Sequence, residues 1–210
     1  MRFSSFSLEK KLWNDGFSLV AGVDEVGRGA WAGPVLAAAV IFPANVRLGF
    51  RLADSKKLSP GRREELAENI KERALFWSIS QSDAVFIEEK GISPATEQAM
   101  RLALEDLRES PDFVLVDYLK LSSWPLDRQN PVKFGDQISN SIAAASILAK
   151  VIRDNLMREL GKQYPEYGFE AHKGYGTKFH QEMIREHGLC ELHREKFIPE
   201  SLLLPLREDS

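Results

Sequence analysis

Residues 22–34 read Gly-Val-Asp-Glu-Val-Gly-Arg-Gly-Ala-Trp-Ala-Gly-Pro, which sets two adjacent carboxylates, Asp24 and Glu25, beside a glycine–arginine–glycine turn, Gly27, Arg28 and Gly29. Carboxylate oxygens bind hard divalent cations, and turn amides with an arginine bind phosphate, so the stretch places metal-binding oxygen next to phosphate-binding nitrogen. The apolar run Leu19, Val20, Ala21 and Val23 predicts a buried strand, with both acids where a sheet gives way to a loop. Buried carboxylates persist only if paired, hydrogen-bonded or metal-bound. Arg28 lies beyond a flexible glycine rather than opposite them, which makes a divalent metal the simplest partner.

Two further acids stand at element ends. Asp117 closes the short apolar run 112–117, and Asp136 follows Gly135 at the opening of a long helix. If the strands carrying Asp24 and Asp117 are neighbours, the four acids converge, and four carboxylates suffice for two divalent ions roughly 3.5–4 Å apart. With no His or Cys beside them, the donor set favours Mg²⁺ or Mn²⁺ over Zn²⁺. Successive strand residues face opposite sides, so Asp24 and Glu25 can serve one cluster only if the strand ends or bulges there, which Gly27 and Gly29 allow.

Two of the acids have a plainer explanation to be weighed. Asp136 alone fits a helix N-cap, and Asp117 a strand-end turn former. The Asp24–Glu25 pair after a valine-rich strand has no such explanation. Gly27-x-Gly29-x-x-Ala32 formally matches the dinucleotide-binding fingerprint, but that motif must open a helix. Here Gly33-Pro34 and a β-prone run follow, and the two acids would repel phosphate. No P-loop, Gly-x-Ser-x-Gly elbow or His-Glu-x-x-His motif occurs, and Cys190 with His193 reads as an isolated pair in ordinary packing.

The elements that hold these residues follow from periodicity. After Pro34 the run Val-Leu-Ala-Ala-Ala-Val-Ile-Phe returns antiparallel to the first strand as a hairpin. A charged amphipathic helix is predicted over 60–74, a third strand over 74–80, helices over about 83–89 and 94–109, and a buried strand of the parallel kind over 112–117. Gly135-Asp136 opens the long helix, whose Ile138, Ile142, Ala145, Ala149 and Ile152 form a narrow face able to pack closely on a sheet. One more helix is expected near 177–187, then an apolar tail, Ser-Leu-Leu-Leu-Pro-Leu. Three strands, then helix, strand and helix, give a mixed α/β sheet covered by helices.

At 210 residues, 43% apolar and 28% charged, the chain fits one medium globular domain. No apolar run approaches the ~20 residues needed to span a bilayer. A start without a secretory apolar segment and a single cysteine imply the cytoplasm and no internal disulfide. The net charge of −3 argues against a nucleic-acid partner, yet the basic residues cluster: six lie between Arg47 and Arg63 against one acid, and 171–181 holds none. These segments could form a groove or be solvated faces.

The motifs together resemble those of ribonuclease HII, the type 2 ribonuclease H. The resemblance runs nearly full length and rests on 22–34, on Asp-Ser-Lys-Lys-Leu-Ser at 54–59, on Leu-Val-Asp at 115–117, on 135–154 and on 164–177. It implies an α/β, ribonuclease-H-like mixed sheet flanked by helices, with 1–163 as the catalytic core and 164–210 as a C-terminal helical extension completing the substrate groove. By the same resemblance Asp24, Glu25, Asp117 and Asp136 are the catalytic carboxylates and ligands of two Mg²⁺ or Mn²⁺ ions. Gly27, Arg28 and Gly29 would meet the ribonucleotide's 2′-hydroxyl and flanking phosphate, Tyr175 the sugar of the neighbouring deoxynucleotide, and Lys56 and Lys57 the backbone phosphates. The implied activity is cleavage 5′ of ribonucleotides in RNA/DNA hybrids and in duplex DNA, by a monomer without membrane association. The sequence departs from the family's pattern at Tyr118, usually glycine, at Lys196, where serine is common, and in a slightly long loop from Asp117 to Asp136. Ribonuclease HIII normally carries an extra N-terminal domain, and only about 17 residues precede the first strand here.

Overall fold

The computed structural model describes residues 3–53, 55 and 58–208. Its centre is a five-stranded sheet built from β1 (Val20–Val26), β2 (Val35–Ile41), β3 (Phe76–Ser82), β4 (Phe113–Asp117) and β5 (Gln129–Val132), in the order β3-β2-β1-β4-β5. The first three strands run antiparallel, with Gly22 opposite Val40 and Val40 opposite Trp77. β4 joins β1 in parallel, Val23 opposite Val116, and β5 joins β4 in parallel. The strands bearing Asp24 and Asp117 are therefore neighbours, and both acids lie at the C-terminal ends of these parallel strands.

Alternation along β1 assigns its two faces. Ala21 and Val23 pack with Ala37, Ala39, Val114 and Val116 against Ala95, Ala99, Met100 and Ala103 of the helix Ile92–Glu105, α4. Val20 and Val26 face the other side, covered by the 24-residue helix Asn140–Gln163, α5. α5 is buried all round from Asn140 to Ala149, as a helix enclosed by other elements must be. On its far side lie Leu66, Ala67 and Ile70 of α2 (Pro60–Arg73). Gly22 permits this closeness, since a Cβ there would stand 2.2 Å from the carbonyl carbon of Ser141. A short helix Ala84–Lys90, α3, precedes α4. Beyond α5 come a four-residue helix Phe169–His172, α6, then α7 (Lys178–His187) and α8 (Glu200–Glu208). Leu202 and Leu203 of the apolar tail are buried with Ile184 and Ile198. No helix among the described residues is long and apolar enough to cross a membrane.

Two expectations need correction here. β1 neither ends nor bulges at its acids: Asp24 pairs with Ala38 and Glu25 with Ala37 in unbroken register. Asp136 does not open the long helix; it lies in a 3-10 turn, Gly135–Gln137, and Ser139 caps α5 by accepting from the Ile142 N–H. The N-cap explanation of Asp136 therefore falls away. Four elements also arise that periodicity did not predict: α1 (Ser7–Asn14), β5, α6 and α8. Glu9 of α1 is fully buried and accepts from Ser139 Oγ at 2.6 Å and from the Ser141 N–H at 2.9 Å. Ser5 adds two backbone bonds, to the Ile138 carbonyl and from the Asn140 N–H. The N-terminal segment thus pins the turn that carries Asp136.

Candidate active site

A cleft of about 430 Å³ opens at the ends of β1 and β4, and Asp24, Glu25, Asp117 and Asp136 all line it. Asp24 and Glu25 reach it from opposite faces of β1. That is possible because the ladder to β4 stops at Val23–Val116, which leaves the last turn of β1 open along one side. Asp24 is 5% exposed. Its Oδ1 accepts the Glu25 N–H at 2.8 Å, and it also bonds to Ser146, whose hydroxyl meets that of Ser55 at 3.0 Å. Burial, then the charges of Glu25 and Asp117, push the Asp24 carboxyl well above the usual carboxylate range. Asp117 Oδ1 accepts the Gly135 N–H at 2.7 Å, tying the strand end to the turn of Asp136.

The opposite wall carries Lys150 and Tyr175. Lys150 bonds to Asp154 at 2.7 Å and lies 6.0 Å from the Tyr175 ring centre, while the Arg153 guanidinium is 5.6 Å from that ring. Ser55, Ser146 and Lys150 were missed in the sequence. They had a usable signal, since Ser146, Lys150 and Asp154 follow one another at helical i, i+4 spacing. Lys56 and Lys57 lie outside the described residues. Of the basic segment around them, Arg63 is committed inward: it donates to the carbonyls of Ser55 at 3.0 Å and Leu58 at 2.7 Å and approaches Asp154.

The turn of Gly27, Arg28 and Gly29 adjoins the cleft. Contrary to expectation, Arg28 does face an acid: its Nε lies 3.9 Å from Glu25 Oε1, and its Nη1 donates to Thr96 Oγ1 on α4 at 3.1 Å. Two buried arginines hold the turn from behind. Arg194 donates to the carbonyls of Gly27, Arg28, Ala30 and Gly33, and Arg153 to those of Ala32, Pro34 and Lys173. Both are fully buried. Burial, and secondarily the Arg153 charge, lower Arg194 to about 9, which leaves it protonated at neutral pH. Gly27 has φ +93°, and a Cβ on it would stand 2.2 Å from Arg153 Nε. With its carbonyls drawn inward onto guanidinium groups, the loop is held as a rigid strap.

The segment bearing Tyr175 is held by histidines. His180 Nδ1 meets the Tyr175 carbonyl at 3.1 Å, its Nε2 meets His193 Nε2 at 3.1 Å, and His193 Nδ1 accepts the Cys190 N–H at 2.9 Å. The chain of bonds assigns neutral rings, with Nδ1–H on His180 and Nε2–H on His193. Burial is the main cause that lowers both rings to about 4. Cys190 and His193 are therefore packing groups, as expected, but belong to a network and are not an isolated pair.

A five-stranded mixed sheet with an acidic cleft at the ends of adjoining parallel strands, wrapped by helices, defines a protein of the ribonuclease-H-like fold. The ribonuclease H2 of Pyrococcus horikoshii OT3 shares that fold with TM-score 0.74 over 90% of this chain and 99% of the other, at 24% identity. The family model described as Ribonuclease HII matches residues 21–199. The chain is 48% identical over 191 residues to a Ribonuclease HII of Desulfitobacterium hafniense, covering 91% of this chain and 73% of the relative. It is 46% identical over 199 residues to one of Caldicellulosiruptor bescii, covering 95% and 96%. The chain belongs to the ribonuclease HII family, and its activity is that of a ribonuclease H.

Proposed function

We propose that the protein is a metal-dependent endonuclease that hydrolyses the phosphodiester on the 5′ side of a ribonucleotide, in RNA/DNA hybrids and in duplex DNA with embedded ribonucleotides. The observation that carries this reading is the convergence of four acids on one open cleft, where burial and then the charges of Glu25 and Asp117 raise the Asp24 carboxyl. Such a group is costly unless a cation offsets it. The donor set fits a hard divalent ion, Mg²⁺ or Mn²⁺, because the cleft lining holds carboxylates and hydroxyls and neither His nor Cys. Among the described residues no group of three or more Asp, Glu, His or Cys side chains is already drawn together as a ready-made ion site. Asp24, Glu25, Asp117 and Asp136 would hold two divalent ions, which when bound acidify the attacking water and offset charge on the departing oxygen.

The chain's own groups then set where cleavage falls. Gly27, Arg28 and Gly29, on the strap fixed by Arg153 and Arg194, meet the 2′-hydroxyl and adjoining phosphate. Tyr175 packs on the next sugar, and Lys150 places positive charge on the cleft wall. Water's oxygen bonds to phosphorus as the P–O3′ bond breaks, leaving a 3′-hydroxyl on the upstream nucleotide and a 5′-phosphate on the ribonucleotide. A duplex with one embedded ribonucleotide, incubated with Mg²⁺ or Mn²⁺, tests the reading: cutting 5′ of the ribonucleotide is expected, and folded protein that leaves it intact in both metals refutes it. An all-DNA control separates a general DNA nuclease, which would cut both.

A further inference from the structure

Among the described residues four non-glycine positions have left-handed backbone: Asn45, Tyr118, Phe134 and Lys173, with φ of +61°, +57°, +57° and +57°. Asparagine tolerates this region, whereas a bulky ring in it is an outlier that must be held there. Both rings flank the acids of the cleft. Tyr118 follows Asp117, and Phe134 precedes Gly135 and Asp136. The two turns are bonded to one another, the Tyr118 N–H to the Val132 carbonyl at 3.0 Å and the Gly135 N–H to Asp117 Oδ1 at 2.7 Å. Core packing does not account for the rings. Tyr118 is 70% exposed, the most of any large apolar side chain described, and Phe134 is 60% exposed.

The surroundings point to nucleic acid. Lys133 Nζ lies 5.4 Å from the Phe134 ring centre, and Lys120 and Lys133 are both exposed. Tyr118 is the neighbour of Asp117 and Phe134 stands two residues from Asp136, and both acids line the cleft that a phosphodiester must enter. Exposed aromatic rings beside lysines suit the sugars and phosphates along a duplex backbone, and the face of any base that is unstacked near the cut, since each phosphate carries a negative charge. We infer that Tyr118 and Phe134 form an aromatic rim that packs on nucleotides flanking the scissile phosphate of an RNA/DNA hybrid, with Lys133 on the adjacent backbone phosphate. The inference rests on the proposed substrate class and adds the residues that grip it outside the acids and the glycine strap.

Tyr118→Gly and Phe134→Gly relieve the backbone and remove the rings, so stability and binding should move in opposite directions. Expected is a melting temperature at or above that of the parent protein. Affinity for a fluorescein-labelled RNA/DNA hybrid, read by anisotropy with metal chelated, should fall about five- to tenfold per ring. Tyr118→Asn and Phe134→Asn, which also tolerate left-handed backbone, should give the same loss, and they decide the matter if a glycine variant unfolds. Trp at either position should keep affinity within about twofold, as stacking on a ring of any kind requires. Unchanged affinity with both rings removed overturns the inference. A parent protein that binds the hybrid but cuts no ribonucleotide-containing duplex would refute the proposed reaction and leave the rim standing.

Discussion

Replacing Arg194 by Met removes the guanidinium that holds the strap of residues 27–33 and leaves a side chain of similar length. In the parent protein Arg194 donates to four carbonyls at 2.6–3.2 Å: Gly33, Gly27, Ala30 and Arg28. A buried carbonyl left without a donor costs about 1–3 kcal/mol. Four would cost several, but removing the charge also returns the penalty of burying it. The balance for taking one partner from such a buried array is about 3–5 kcal/mol. At about 2–4 °C per kcal/mol for a chain of this size, the melting temperature should drop by roughly 6–20 °C. Calorimetry or circular dichroism reads this directly. Below the new melting point, cutting of a ribonucleotide-containing duplex should show a raised KM, because the glycine strap is no longer fixed. Arg194→Lys should fare nearly as badly, since an ammonium is a point donor and cannot fork toward carbonyls in three directions. A methionine variant that melts within ~2 °C of the parent with unchanged KM would refute the strap argument; full rescue by lysine would show that charge, and not the fork, matters.

Asp24→Asn should abolish cutting and raise stability in the absence of metal, because the folded state holds this carboxyl with a raised pKa. The sign follows from linkage: a raised acid supports folding at pH below its unfolded value and loses that support as pH climbs through the folded one. Divalent metal should therefore raise the melting temperature of the parent more at alkaline pH, and that of the variant little. His180 and His193, both lowered to about 4, carry the opposite sign. Their contribution is full above pH ~6.5 and is lost as pH falls toward 4, on the order of 3 kcal/mol per ring, so acid melts should steepen in that window and flatten in His180→Phe. Gly27→Ala sets a Cβ 2.2 Å from Arg153 Nε at a φ of +93°. A loss of more than about 1 kcal/mol in urea unfolding, together with weakened cutting, is expected.

The sheet was legible because β1, β2 and β4 are continuous apolar runs, and the acids because they interrupt such runs where propensity does not ask for charge. β5 was not, since Gln-Asn-Pro-Val carries no strand signal. It is a strand only because β4 offers an unpaired edge, and a proline is tolerated at the sheet's margin. α1 is short and largely polar, and its buried Glu9 has meaning only against Ser139, which lies 130 residues away. The arginine strap was hidden for the same reason, although Arg153 continues the helical spacing of Ile142, Ala145 and Ala149 and so stood on a buried stripe. Arg28 facing Glu25 was misjudged because a glycine between two residues says nothing about which way the turn closes.

The strap also has a bearing on when the enzyme comes into being. Arg194 reaches back across 161–167 residues to the carbonyls it holds. At a synthesis rate of about 5–20 residues per second, that separation is roughly 10–30 s of translation. During that interval the β1–β2 hairpin can fold, with Asp24 and Glu25 already side by side, while the glycine turn between the strands lacks its Arg194 anchor. A nascent chain therefore holds the two acids proposed to cut before the turn proposed to choose a target is fully fixed, and the two are joined only when Arg194, 161–167 residues on, arrives.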